Sequence, residues 1–328
     1  MDLRLFDATI EGLMTTSTAE LSAEMKIFYD KVLLKNAKPN LVHDQFGQKR
    51  PIPKNRGKEI EFRRYKSLPK AMTALQEGVT PNPNKLEVTT ITARIQQYGD
   101  WIPLSDVLIM TGIDNNLSEA MVLLGDQAGR TSDSVTREII NAGTNVLFAP
   151  KGDTVVTARE DLDATALLTA QLVVKAAAIL KGKNTKPIDN GFVAIIHPYS
   201  AYDLMMDEGW KEAHKYTTPE NMYNGELGKL GNVRFVESTE AKIWANAGQD
   251  GISVFSTLVL GANAYGVTEI EGFGLQHIVK QLGSAGTGDP LNQRASAGWK
   301  LAKAAEILSD EYMVRIEHAS SFATTAAN

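Results

Sequence analysis

The chain has no cysteine among its 328 residues. That single absence excludes disulfides, thiolate nucleophiles, iron–sulfur clusters and thiolate zinc sites, so durability must come from non-covalent contacts or from chemistry without sulfur. Long apolar runs are missing too. The longest, around Ala166 to Leu180, is interrupted by Gln171 and Lys175, and a membrane span needs roughly 18 to 20 unbroken apolar residues. The N-terminus, MDLRLFDATIEG, sets acids among its apolar residues and lacks the basic-then-apolar layout of a secretory signal. A soluble protein that stays in the compartment of its synthesis is expected. Nor is there an excess of positive charge: 34 Lys and Arg stand against 39 Asp and Glu, a formal net charge of −5. A dedicated nucleic-acid binder would carry the opposite balance, since its affinity rests on neutralising phosphates.

Recognisable catalytic groupings are equally scarce. His43, His197, His214, His277 and His318 are dispersed, and none has a second histidine three to five positions away, the local spacing of a metal site. His197 ends a predicted strand before a proline and reads as a capping or core-edge residue. Gly272-Phe-Gly274 lacks the third glycine of the dinucleotide fingerprint, and the run Gly283 to Gly288 is not followed by the lysine and serine of a phosphate loop. No Gly-x-Ser-x-Gly elbow occurs. Asp203, Asp207 and Glu208 read as the solvated face of a helix, with Met205 and Met206 as core filler. No enzyme activity and no cofactor are expected.

What is present is an alternation of arms, strands and helices within a chain long enough for one large domain or two intimate ones. Residues 1–48 are polar, with Met25, Phe28 and Val32 at helical spacing, which suggests an arm. From Gly57 to Tyr65 the side chains alternate, Ile60 and Phe62 opposing Glu59, Glu61 and Arg63, the pattern of a strand. A β-branched run from Leu86 to Trp101 predicts a second strand, and a connector with three prolines makes the pair a long hairpin. Its strands carry few apolar residues and an isolated hairpin is marginal in water. It must lie on something, and nothing local is an obvious partner. Asn116-Leu-Ser-Glu119 resembles a capping box. Behind it Leu117, Met121, Leu124, Ala128, Val135 and Ile139 recur at near-heptad spacing, predicting a helix to Gly143 of roughly 40 Å. Gly125 and Gly129 lie inside it, each costing about 1 kcal/mol relative to alanine, and close packing of another backbone is the plain explanation. Further helices are expected at Asp163 to Lys181 and Tyr199 to Asp207, and strands at Phe192 to Ile196, Val233 to Glu237 and Ile252 to Leu260. The runs Ala297 to Ile307 and Tyr312 to His318 are expected to pair antiparallel through a turn at Ser309-Asp310.

One local asymmetry breaks the acidic balance. Between Lys49 and Lys70 stand nine basic residues, among them Lys58, Arg63, Arg64, Lys66 and Lys70, against Glu59 and Glu61. They could grip phosphates or meet acidic patches on neighbouring copies. Few stacking aromatics accompany them, Phe62 and Tyr65 being the two at hand, so ion pairing between subunits is the reading we adopt.

Six stretches together resemble a known family. They are FYDKVLLKNAKPNLVHDQFGQKRPIPKNRGKEIEFRRY, EGVTP, QYGDWIPLSD, GELGKLGNVRFVEST, LGANAYGVTEIEG and DPLNQRASAGWKLAKAAEILSDEYMVRIE. In this order they resemble the major capsid proteins of tailed bacteriophages, in the group typified by the giant-polymerase coliphages. The resemblance implies an α+β fold of the type named after a Hong Kong coliphage. It implies an N-terminal arm over 1–48, an extended hairpin loop over 49–104, a peripheral domain with a long spine helix over 105–161 and 262–328, and an axial α/β domain over 162–261. In this family the loop lies across the adjacent subunit, which would supply the burial its own strands lack. The implied function is that of a shell subunit in the virion, assembled in the bacterial host's cytoplasm as hexamers and pentamers. Its partners would be many copies of itself, a portal, a decoration protein, and packaged duplex DNA held by weak contact, with no membrane. Gly125 and Gly129 then become candidate bending points of the spine helix. Two rival readings are a non-viral, encapsulin-like compartment of the same fold and an oligomeric enzyme of unknown chemistry.

Overall fold

The structure is a computed structural model that describes residues 41–55, 57–66, 68–74, 77, 78, 80, 82–111, 116–214, 227–271, 274–284 and 288–328. The expected arm helix near Met25, Phe28 and Val32 lies outside these residues. Among the described residues the chain falls into two compact units. One comprises Tyr98–Gly129 and Leu275–Leu301; the other comprises Asn40–Gln97, Arg130–Gly274 and Ala302–Asn328.

The larger unit is organised around a mixed sheet. Its central strand, β10 (Val254–Leu260), is buried along its whole length. On one side it pairs antiparallel with β14 (Met313–His318), and on the other antiparallel with β6 (Phe192–Ile196). Outward from these lie β5 (Val146–Phe148), parallel to β14, and β8 (Val233–Glu237), parallel to β6, with β7 (Lys229–Leu230) antiparallel to β8 at the end. The sequence FVAII of β6 is apolar at every position because the strand is covered on both faces. The helix α3 (Ala170–Gly182) lays Leu172, Val173, Ala176 and Leu180 into the same core as Phe192, Ala194, Ile196 and Val259.

Three expectations about this unit need correction. The helix begins at Ala170 rather than Asp163, because Asp163 makes a turn instead: its carboxylate accepts from the backbone N–H and hydroxyl of Thr165, and Thr169 caps the helix from its own side chain. Asp203 and Asp207 do not form a solvated face. Asp203 is buried and accepts from the backbone N–H of Ser321, and Asp207 accepts from the N–H of Ala170 at 2.9 Å, satisfying a donor that the start of α3 leaves open. Met205 and Met206, taken as core filler, are exposed. His197 does cap α4 (Pro198–Met206), Nδ1 accepting from Tyr199 N–H at 3.2 Å, and Pro198 holds the first turn.

Strand β13 (Arg294–Ile307) and β14 do not pair, contrary to the expected hairpin. In the larger unit the end of β13 runs antiparallel to β11 (Tyr265–Glu269), which pairs parallel with β1 (Gln48–Lys49). The N–H groups of Leu308 and Ser309 both donate to Ala264 C=O at 2.9 Å, and a single 3-10 turn, Asp310–Tyr312, carries the chain to the other sheet. Six buried residues give β14 more to gain beside β10 than along a strand whose edge is already used.

The expected hairpin is present. β2 (Glu59–Tyr65) and β3 (Val88–Arg94) pair antiparallel from Glu59 with Arg94 to Tyr65 with Val88. Its foot has a partner in its own chain after all: Phe62, Ala93 and Ile95 are buried together with Ile52, Ala302, Ala304 and Leu308. The small side chains of Ala302 and Ala304 let the hairpin close onto β13.

In the smaller unit, β12 (Gln276–Lys280) pairs antiparallel with the first half of β13, and β4 (Gln96–Ser105) pairs with β13 as well. The first turns of α2 (Asn116–Ile140) pack Met121, Leu124 and Ala128 onto Ala297, Trp299 and Leu301. Gly99 is required by this packing. A Cβ there would sit 2.6 Å from the backbone oxygen of Trp299, which cannot yield as a flexible side chain would. Gly99→Ala is expected to lower unfolding free energy by about 1 to 3 kcal/mol, read as a shifted midpoint in urea; an unchanged midpoint would show that the strands can part there at no cost. Before β13 is reached, α1 (Asp106–Thr111) buries none of its side chains in this chain.

Candidate assembly interface

The apolar stripe predicted along α2 ends at Ala128. Beyond it four buried positions are polar, Ser132, Asp133, Thr136 and Arg137, before the buried Ile140 ends the helix, while Val135 and Ile139 are half-buried. The reason lies far away in sequence. Lys303 on β13 donates from Nζ to both carboxylate oxygens of Asp44, at 2.6 and 2.5 Å, and to the carbonyl of Ser132 at 2.8 Å. The hydroxyl of Thr136 donates to Asp44 Oδ1 at 2.5 Å. Next to it the N–H of His43 donates to Asp133 at 2.7 Å, His43 Nδ1 meets the other oxygen of that carboxylate at 2.5 Å, and the hydroxyl of Tyr265 donates to the His43 carbonyl. Burial pushes the Lys303 ammonium below the usual lysine range against the pull of Asp44, and pushes the Tyr265 phenol up. This cluster fixes the segment that leads into the hairpin, so the hairpin leaves the body from an anchored base.

The far half of the hairpin is different. From Arg63 and Thr90 outward every side chain of both strands is exposed, and no described residue buries either face, although Arg64 leans on the Tyr312 ring. Met72, at 84 % exposure, and Leu86, at 72 %, lie beyond the strands with Leu68, and Tyr65 at the end of β2 is exposed as well. A two-stranded ribbon with both faces bare is marginal in water.

Each basic residue singled out from sequence is exposed. Lys58 stands at the foot, its carbonyl accepting from Ile95 N–H at 2.9 Å. Lys66 is paired across the hairpin with Glu87 at 2.9 Å, an exposed contact worth about 0.2 to 1 kcal/mol. Lys70 lies beyond the end of β2. Arg63 and Arg64 are brought together with Arg50, which sequence reasoning had not separated from its basic neighbours, on a cleft of about 300 Å³ floored by Phe62 and Leu308 and edged by Tyr65 and Tyr312. Arg64 lies over the Tyr312 ring, 5.0 Å from its centroid. No signal near Arg64 in the sequence points to Tyr312. Gly125 and Gly129 are both buried within α2, and the division between the two units falls directly after Gly129. Among the described residues no cluster of His, Asp and Glu has metal-site geometry, and no helix is long and apolar enough to cross a membrane.

The sequence profile of the phage capsid protein family matches residues 87–310. The chain belongs to that family. As a phage capsid protein it has the mixed helix-and-strand fold of known capsid structures. The capsid of cyanophage P-SCSP1u is 14 % identical with a TM-score of 0.66, covering 86 % of this chain and 89 % of that one. The capsid of cyanophage Pam1 is 13 % identical with a TM-score of 0.65, covering 82 % and 87 %. A virus-like particle from Pyrococcus furiosus is 12 % identical with a TM-score of 0.52, covering 89 % and 99 %. No curated protein matches the chain. At these identities the structures speak for the fold, and the family profile speaks for the capsid role.

Proposed function

We propose that many copies of this capsid protein assemble as hexamers and pentamers into the closed icosahedral shell of a tailed-phage virion, around packaged duplex DNA. In this reading 1–48 is the arm, 49–104 the extended loop, 105–161 and 262–328 the peripheral domain, and 162–261 the axial domain. The observation that carries it is the hairpin: anchored at its foot and exposed at every side chain from Arg63 and Thr90 outward, it calls for a neighbouring copy to cover it. Lys58, Arg63, Arg64, Lys66 and Lys70 then lie at contacts between subunits. Repetition makes such contacts sufficient, since an interface of about 800 Å² per partner, multiplied around each subunit, holds by multivalency. Portal and decoration proteins are the further partners, DNA is met only weakly, and assembly takes place in the host cytoplasm.

Electron microscopy of the purified chain at low and moderate salt tests this. Closed shells with six-fold and five-fold rings are expected, and a stable monomer under every condition would overturn it. The same images test Gly125 and Gly129 as bending points of α2. Gly129→Ala should divert assembly toward tubes or wrong-sized shells, and normal particles would refute the bending role. The near-complete coverage of the Pyrococcus furiosus particle's chain supports a second reading, a protein compartment that loads cargo; DNA inside the particles would exclude it, and protein inside would favour it.

A further inference from the structure

We propose that residues 319–328 form a strap that sets the loop 239–243 and, through it, the line along which α2 enters the larger unit, a device that rests on the reading of the chain as a shell subunit. Among the described residues the apolar core ends at Ala319, so the strap is held mainly by hydrogen bonds. The backbone N–H of Ser321 donates to the buried Asp203 at 3.1 Å, and the ring of Phe322 stacks on Tyr199 with centroids 4.5 Å apart. Further on, the N–H of Ser253 donates to the carbonyl of Thr324 at 2.8 Å. The buried Ser253 hydroxyl donates to the carbonyl of Ala326 at 2.7 Å and accepts from its N–H at 3.0 Å. The strap then meets the loop. The side-chain amide of Asn328 donates to the carbonyls of Ala241 and Thr239, and its oxygen accepts from the N–H of Ile243 at 3.2 Å. Donor and acceptor ends of one amide are thereby both engaged, on three backbone groups of one loop.

The same loop grips α2. The Glu240 carboxylate accepts from Nε of Arg130 at 2.9 Å, the Glu240 carbonyl accepts from the buried Arg137 at 2.8 Å, and Lys242 Nζ donates to both oxygens of Glu138 at 2.8 Å. Arg130, Arg137 and Glu138 all stand on the part of α2 that belongs to the larger unit, which begins directly after Gly129. Glu138 and Arg130 are largely open to water, where an ion pair contributes little by itself. The hold on α2 therefore depends on the loop keeping one position. Ser256 N–H ties the loop at the Lys242 carbonyl and Ser238 ties it at the N–H of Ala241; Asn328 adds the ties at Thr239, at the Ala241 carbonyl and at Ile243. A subunit that repeats one shape around a closed shell needs its longest helix fixed in direction, since scatter in each copy accumulates around the shell.

Carbodiimide reads this latch directly, because it joins a lysine to a carboxylate only when the two are in contact. It condenses Lys242 with Glu138 to an amide with loss of water, and the linked peptides are counted by mass spectrometry after digestion. The Lys151–Asp163 pair, 3.1 Å apart in the same unit, is the internal standard. Two variants are compared with the unaltered chain: Asn328→Ala, and a chain shortened after Ala323, which keeps Ser321 on Asp203. In both, the Lys242–Glu138 yield relative to the standard should fall at least about twofold with the lost hydrogen bonds. Asn328→Ala removes only the contacts of an exposed side chain, so it decides the matter even if the shortened chain fails to fold. Electron microscopy of the same variants should show particles of mixed diameter where the unaltered chain gives one. Lys242→Glu breaks the latch without touching the strap and should give the same mixture. An unchanged yield ratio would overturn the proposal, and so would a fallen ratio accompanied by particles of one normal diameter. If the unaltered chain forms no particles, the assembly reading fails by itself, and the yield ratio on free subunits still decides whether the strap holds the loop.

Discussion

Replacing Asp44 with alanine is expected to cost the subunit about 3 to 5 kcal/mol of unfolding free energy, the usual consequence of leaving a buried charge without its partner. The side chain of Lys303 is 3 % exposed and that of Asp44 15 %, so the two halves of the pair are not equivalent. Without Asp44 the ammonium keeps the carbonyl and hydroxyl of Ser132, at 2.8 and 2.9 Å, but no nearby opposite charge of the same quality. Without Lys303 the carboxylate keeps the hydroxyl of Thr136 and some access to water. Lys303→Met should therefore cost less than Asp44→Ala, and the double change Asp44→Ala with Lys303→Met should cost clearly less than the sum of the two, since neither charge is then left buried without its partner. Urea unfolding of the four proteins measures this as a double-mutant cycle. A loss below about 1 kcal/mol for Asp44→Ala would mean that the cluster is solvated and anchors nothing.

Acid should destabilise the subunit through His318. Burial pushes its imidazole from the ordinary value of 6.5 down to about 4, against the opposing influence of the backbone carbonyl of Ala319 and the carboxylates of Asp203 and Glu317. The ring is wholly buried, with Nε2 at 3.0 Å from the hydroxyl of Thr257 and Nδ1 at 2.8 Å from the carbonyl of Ala319. Between pH 6.5 and 4 the unfolded chain binds a proton here that the folded chain does not. Stability is therefore fully present above the unfolded value and falls as the pH drops across that window. The contribution lost is on the order of 3 kcal/mol. His318→Gln cannot titrate, so its stability should fall less steeply over the same window. Equal slopes for the two proteins would show that His318 is not the group responsible. His197, also depressed by burial, acts in the same direction and remains in both proteins.

Where neighbouring residues decide the structure, the sequence was readable. The strands Phe192–Ile196 and Val233–Glu237 have the predicted ends, and the alternation through Ile60 and Phe62 marks the inward face of the first hairpin strand, because side-chain period and burial agree locally. Several of the failures share a cause in distant partners. The polar stripe on α2 is buried because Asp44 and Lys303 meet there, 259 positions apart in the chain, and no window on the helix contains either of them. Asp203 and Asp207 looked like surface acids since their acceptor roles depend on Ser321 and on Ala170. The turn at Ser309 promised a hairpin, and only the competing claim of β10 on β14 cancels it. At the interface, the run of basic residues was visible but its convergence was not: Tyr312 lies some 250 positions from Arg64, and the cleft between them exists only after both sheets have formed.

The place of β10 has a consequence for synthesis on the ribosome. One of its edges is taken by β6, which is made earlier; the other waits for β14, which ends at His318. At about 5 to 20 residues per second, translation leaves that edge open for roughly 3 to 12 s. An open edge of seven buried-type residues, VFSTLVL, is a template for pairing with another nascent chain. A protein that a cell must produce in many copies at once therefore carries its greatest risk of aggregation in the interval before its last strand arrives, and slowing growth temperature or supplying a chaperone during that interval is where its yield would be won.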